Sequence, residues 1–312
     1  MYVINSEEDD RKGGVGAIYF NSSGEMVTYA TLLKNTSRNC SGGKSPWYTW
    51  ISCEEVDDGQ CWEVDPYRYN APHETVLGGQ SGGKFESTVH DDYWNFYVTE
   101  DADDGALRRY TPNQATITEA INTYNYSSIL TTNDGEMHYL VLQPKSKTSG
   151  IFRWSSSEIT GRKSAKQYYP NSEGIEYNDG KLYFTAKENK EFFTLDLHSA
   201  TYESVSTDTM LFDGQPDQIK IKHVVGIPGD KQGIMYFTED YRSAGIHARN
   251  LNDGKFFTIA HSLSRESETT GLAFSPDKRR FYFCFQKSPG ICFEITREDG
   301  LSFEDETLDI VY

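Results

Sequence analysis

The feature that most constrains the fold is an internal repeat. A strand rich in aromatic and β-branched residues, an acidic or glycine-containing loop and a second strand recur at roughly the 40- to 50-residue spacing of propeller blades. The clearest copies are Asn95 to Tyr110 (NFYVTEDADDGALRRY), Lys181 to Leu197 (KLYFTAKENKEFFTLDL) and Gly233 to Leu251 (GIMYFTEDYRSAGIHARNL). Looser copies are Tyr2 to Phe20, Trp47 to Pro66, Glu136 to Trp154 and Arg279 to Thr296. A lone hairpin cannot bury its apolar face, so such units must pack side by side, and radial closure limits exposed edges.

The expected fold is therefore all-β: a β-propeller of six or seven four-stranded blades, in one domain spanning residues 1–312. Tyr (21), Phe (17) and Trp (5) supply the strand formers, and Gly (26) the turns. A β-sandwich would show no long repeat, and an α/β fold would need amphipathic helices between strands. Only Gln114 to Thr123 reads as helical, and the Gly-rich Gly78–Gly83 and Ser-rich Ser155–Ser157 are shorter than a repeat, hence loops. The opening unit lacks an inner strand. Closure then requires an upstream segment, expected to carry an export signal, or a C-terminal strand at Thr307 to Tyr312.

The formal charge of −17 repels an extended phosphate backbone and excludes nucleic acid as the expected partner. No stretch approaches the roughly 20 apolar residues of a membrane-spanning helix. Five cysteines are arranged as Cys53/Cys61, Cys284/Cys292 and an unmatched Cys40. Each pair could bridge its own hairpin or remain two buried thiols. Glycosylation sequons at Asn21, Asn35 and Asn125 fit secretion.

In a propeller, equivalent strand ends of all blades converge on one axial face. Acids at such ends are Glu7, Glu54, Glu55, Glu100, Asp101, Glu239 and Asp240, and a second series precedes strands at Glu173, Asp217 and Glu268. Carboxylates crowded in one funnel raise each other's pKa unless cations neutralise them. Calcium accepts many oxygen ligands at irregular positions, whereas a zinc site would need a His or Cys set that does not stand out. Cys40, in the turn-rich RNCSGG, suits a metal only if that metal is a strong Lewis acid such as iron; otherwise it is an inert thiol. No HExxH occurs. GQSGG at Gly79–Gly83 differs from the GxSxG elbow, and GGVGA at Gly13–Ala17 lacks dinucleotide spacing.

The segment RNCSGGKSPWYTWISCEE, Arg38 to Glu55, resembles the signature of PhoX-type alkaline phosphatases. Weaker agreements follow at Trp62–Pro66, Val98–Asp101, Glu173–Ile175, Pro216–Gln218 and Glu268–Asp277. The resemblance implies a propeller whose axial pocket holds iron (Fe3+) and calcium (Ca2+), with Cys40 on iron. It implies metal ligation by Cys40, Glu54, Glu55, Glu100, Glu173, Asp217, Glu239 and Glu268. Cys40, Glu54, Glu55 and Glu100 would also serve catalysis, with Arg38 as a phosphate contact. Two positions depart from the family pattern: His90-Asp91, where His-Glu is more usual, and Gln218, where Asn is expected.

The implied reaction is hydrolysis of small-molecule phosphate monoesters by an extracytoplasmic, secreted or periplasmic monomer. Two alternatives compete with it. One is a calcium-dependent lactonase-like hydrolase that needs no Cys40; the other is a calcium-stabilised binding propeller without catalysis.

Overall fold

A computed structural model describes residues 1–209, 211–222, 233–261, 266–287 and 289–303. The expected strand at Thr307–Tyr312 lies outside them. The chain is all-β with three short helices, its strands running in sequence order as antiparallel meanders. The first sheet contains β1 (Tyr2–Ser6), β2 (Gly13–Phe20) and β3 (Met26–Thr36). The second contains β4 (Asn39–Lys44), β5 (Trp50–Glu54), β6 (Cys61–Val64) and β7 (His73–Glu74).

Next come β8 (Phe85–His90), β9 (Phe96–Glu100), β10 (Arg108–Thr111), β11 (Glu136–Pro144) and β12 (Ser149–Ser155). They are followed by β13 (Ser172–Asn178), β14 (Lys181–Ala186), β15 (Glu191–Asp196) and β16 (Thr201–Ser206). Pairing of β12 with β16 fuses these two meanders into one nine-stranded sheet. The last two sheets are β17 (Gln215–Lys222), β18 (Ile234–Asp240), β19 (Gly245–Asn250) and β20 (Phe256–His261), then β21 (Thr269–Phe274), β22 (Arg280–Phe285) and β23 (Ile291–Thr296).

The arrangement is propeller-like because the leading strands pack on one another in turn: β4 on β8, β8 on β13, β13 on β17, and β17 on β21. The circuit closes through β1, which touches β4 on one side. On the other, the Tyr2 hydroxyl donates to Gly271 O at 3.3 Å and the Tyr2 ring lies 5.6 Å from Tyr282. The side chain of Asn5 on β1 donates to Cys40 O and Ser41 O of β4. The hydroxyl of Thr99 on β9 does the same toward Glu173 O, and that of Thr185 on β14 toward Asp217 O. β1 therefore takes the place of a second strand, and the first sheet has no inner strand among the described residues.

The aromatic repeats arise because these sheets are covered on both faces, which favours consecutive large apolar residues over strict alternation. In β18, Phe237 turns toward Phe192 of the preceding sheet (centroids 5.2 Å apart), while its neighbour Tyr236 turns toward Phe281 of the following one (5.5 Å). Each such buried ring contributes on the order of 1.5–3 kcal/mol. Two helices, α1 (Gln114–Thr123) and α2 (Ser128–Thr131), join β10 to β11; a third, α3 (Glu158–Tyr168), joins β12 to β13. α1 was expected; α3 was not, because its buried face is Gly161, Ser164 and Ala165 and carries no apolar period. A Cβ at Gly161 would come within 2.4 Å of Tyr139 Cβ, so glycine lets α3 lie directly on β11.

Of the two cysteine pairs, Cys284–Cys292 is a disulfide between β22 and β23. Cys53 and Cys61, also directly opposed, are buried free thiols 3.3 Å apart. Among the described residues no helix is long and apolar enough to cross a membrane.

Candidate metal centre

All five inner strands carry a two-against-one bulge, in β21 at Gly271 and Leu272 against Phe283. In β4 the register passes from Asn39↔Glu54 to Gly42↔Ser52, so Cys40 and Ser41 together oppose the single residue Cys53. The same two-against-one bulge sets Glu86 and Ser87 against Thr99, Glu173 and Gly174 against Thr185, and Asp217 and Gln218 against Thr238. A bulge bends a strand and re-aims the side chain at the extra residue. Here it repeats around the axis and gathers Cys40, Glu86, Glu173 and Asp217. The opposing hydroxyls fasten the irregular backbone: Thr99 Oγ1 accepts from Ser87 N (3.0 Å) and Thr238 Oγ1 from Gln218 N (2.8 Å).

A second layer comes from the residue that follows, or ends, each second strand. Glu55 N donates to Arg38 O, Asp101 N to Lys84 O, Lys187 N to Asn171 O and Gln286 N to Glu268 O, always to the residue just before the inner strand. Asp240, paired with Gln215, holds the same place in β18, and Glu7 lies beyond the end of β1.

Two donor sets result. The Cys40 thiol and carboxylate oxygens of Glu7 and Glu55 lie within 4.8 Å of one another, as do oxygens of Glu86, Glu173 and Asp217. Arg38 Nη2 spans Glu7 Oε1 (3.1 Å) and Glu55 Oε2 (2.8 Å) beside the first set. Under the second, Gln218 Oε1 accepts from Ser41 Oγ and Ser87 Oγ (both 2.8 Å), and its Nε2 donates to Glu86 and to Asp217 Oδ1. Gln218 and the two serines thus make a hydrogen-bonded floor beneath the carboxylates.

The sites resist holding negative charge. Burial, then repulsion from Asp101 and Glu7, lifts Glu55 to about 7 although Arg38 opposes the shift. Burial lifts Asp217 to about 7, aided by Asp240 and Glu7, and lifts Glu268 to about 9, aided by Asp217 and Asp240. Glu86 and Glu173 are pushed well up by burial and by neighbouring acids, Asp217 first for Glu86 and Glu86 first for Glu173. The Cys40 thiol rises through burial, then Glu86 and Glu7. Lys187 is the exception: burial works against its charge, but Glu173 and Asp101 more than offset that and raise its pKa.

Of the residues singled out by sequence, the structure brings Arg38, Cys40, Glu55, Glu173, Asp217 and Glu268 to this mouth. It places Glu54, Glu100 and Glu239 elsewhere. Each lies in a second strand one residue before the mouth position, and successive strand residues face opposite ways. Glu54 accepts from Ser37 N, Gln60 N and Trp62 Nε1. Glu100 pairs with Arg162 Nη2 (3.1 Å) and Arg108 Nη2 (3.5 Å). Glu239 accepts from Gly214 N, Gly245 N and buried His247. Glu86 was missed; aligning the second residue of each inner strand (Asn39-Cys40, Phe85-Glu86, Ser172-Glu173) would have found it.

The chain is thus a propeller-like all-β protein in which a thiol and at least five carboxylates gather, in two sets that could each hold a cation. The profile of a family described as "Alkaline phosphatase PhoX" matches residues 21–91, the stretch from β3 to β8 that carries Arg38, Cys40, Glu55 and Glu86. The chain is similar to PhoX-type alkaline phosphatases, as the Arg38–Glu55 signature implied.

Among solved structures it resembles Pseudomonas fluorescens PhoX in complex with vanadate, a transition-state analogue: TM-score 0.63, 14% identity, covering 97% of this chain and 76% of that one. It also resembles a putative 6-phosphogluconolactonase from Bacteroides fragilis (TM-score 0.52, 9% identity, 96% and 92% covered). A chain of a nidogen/laminin complex gives TM-score 0.56 at 9% identity, with 97% and 96% covered. At these identities the likeness is one of fold. No curated protein sequence matches the chain.

Proposed function

We propose that this chain is a metal-dependent phosphomonoesterase whose cations sit in the axial mouth of a one-domain, six-bladed propeller. The blade count takes the nine-stranded sheet as two blades, β8–β11 and β13–β16, with β12 as a bridge. The observation that carries the reading is that the matched family segment contributes Cys40 and Glu55 of the thiol–carboxylate set, which Glu7 completes, and Glu86 of the all-carboxylate set.

The donor chemistry fits two kinds of cation. Cys40 with Glu7 and Glu55 suits a metal that accepts thiolate, for which iron is the candidate; Glu86, Glu173 and Asp217, with Glu268 nearby, suit calcium. The upward pKa shifts support this, since uncompensated carboxylates there must share protons or meet a cation. Bound cations would supply Lewis acidity and an activated oxygen nucleophile.

The chain's own groups would do the rest. Arg38, with 37% of its side chain exposed beside the first set, can meet a phosphoryl oxygen through a planar guanidinium. The Ser41–Ser87–Gln218 floor would close the inner side, leaving ester and water to enter from the Glu7–Glu55–Asp101 side. The Cys284–Cys292 disulfide supports an oxidising, extracytoplasmic setting. A second reading, calcium chemistry of lactonase type, draws on the carboxylate set being complete without Cys40. Hydrolysis of an aryl phosphate by protein loaded with calcium and iron, abolished by a chelator, is the expected result. No turnover by the loaded protein overturns the phosphatase reading, and turnover unaffected by Cys40→Ala favours the calcium-only one.

A further inference from the structure

At the mouth position set by the second strands, five residues offer oxygen donors: Glu7, Glu55, Asp101, Asp240 and Gln286. The sixth, Lys187, offers a cation. Its Nζ lies 2.6 Å from Glu173 Oε1, 2.9 Å from Asp101 Oδ2 and 3.9 Å from Asp240 Oδ2, and so touches acids from three successive sheet segments, β13, the end of β9 and β18. Glu173 is 2% exposed, and Lys187 is its one ion-pair partner among the described residues. Asp101 is held in place from behind by Asn171 Nδ2 at 2.7 Å.

We propose that Lys187 is a built-in cation of the mouth, holding the place one divalent ion would otherwise take between Asp101, Glu173 and Asp240, and thereby setting how many metal ions this chain carries. Three convergent carboxylates around one small positive centre are what a calcium ion collects at 2.3–2.6 Å. An ammonium with three N–H groups does the same job with one charge instead of two and cannot exchange. The lysine also draws Glu173 toward itself, which leaves Glu86 and Asp217 as the freer donors of their set. Lys187 thus divides the acids into those neutralised by the chain and those left for metal. This inference rests on the mouth being a cation site, as proposed above.

The test compares calcium bound per chain, by equilibrium dialysis and elemental analysis, in the unsubstituted protein, Lys187→Met and the charge-keeping Lys187→Arg. Lys187→Met is expected to bind about one more calcium than the unsubstituted protein, because the freed triad offers a site of the usual hard-cation type. Lys187→Arg is expected to match the unsubstituted count. Equal or lower calcium in Lys187→Met overturns the inference, and Lys187→Gln serves the same comparison where the methionine variant does not fold. An unsubstituted protein with no metal sinks the phosphatase reading instead; the difference between variants is still decisive for the lysine.

Discussion

Replacing Glu86 with glutamine separates a residue kept for cations from one kept for stability. Glu86 is 1% exposed, accepts a hydrogen bond from Gln218 Nε2, and has no ion pair among the described residues. Oxygens of Glu173 and Asp217 lie within 4.8 Å of it. Two full charges at that separation repel by about 3.5 kcal/mol at an effective dielectric of 20, and shared protons reduce this to roughly 1–3 kcal/mol in the metal-free protein. Glutamine keeps the acceptor for Gln218 and adds a donor toward the remaining carboxylates. The metal-free Glu86→Gln protein should therefore melt about 2–6 °C higher at pH 8, taking about 2 °C per kcal/mol for a chain of this size. Calcium at 100 times its Kd would stabilise the unsubstituted protein by about 2.7 kcal/mol, and the variant should lose most of that gain. Thermal melts with chelator and with calcium measure both effects. A lower metal-free Tm in the variant, or an undiminished calcium response, would refute the reasoning.

Three further expectations follow from the same geometry. Glu55 and Asp217 (about 7) and Glu268 (about 9) sit above their unfolded values, so the folded protein holds more protons than the unfolded chain across that range. Stability of the metal-free protein should then fall as pH rises from about 4.5 through 7 to 9, and calcium should flatten the slope; a metal-free Tm that climbs over this window would contradict the assignment. Cys40→Ala should remove iron and any thiolate-to-metal absorption while calcium stays bound to the carboxylate set, as read by elemental analysis and visible spectroscopy. Arg108, 1% exposed, donates to Gly78 O and Gly82 O and faces Glu100 and Glu158. Arg108→Met should cost about 3–5 kcal/mol in urea unfolding by stranding those acceptors, and a loss below 1 kcal/mol would show that Arg162 alone satisfies Glu100.

The all-β class and the propeller-like repeat were legible because β14 and β18 carry their aromatic pairs at equivalent places, and both faces of each strand are buried. The acidic mouth was legible at the level of turns and strand ends but not of single residues. Glu54 and Glu55 are adjacent in sequence, yet a strand sends one toward Ser37 and Trp62 and the other to the axis. Which one faces the axis is fixed by the inner-strand bulges, and a two-against-one register has no signature in composition. Glu86 stayed hidden for the same reason, since Phe-Glu-Ser-Thr reads as an ordinary strand start. α3 escaped because small residues, rather than an apolar stripe, make its contact with β11.

The most direct test of the central claim is the metal content of the protein purified without chelator, by elemental analysis alongside its visible absorption spectrum. The account predicts calcium together with iron, with an absorption band that depends on Cys40. Calcium alone would move the chain to the lactonase-like or binding reading, and a protein free of both metals would contradict the axial cation centre itself.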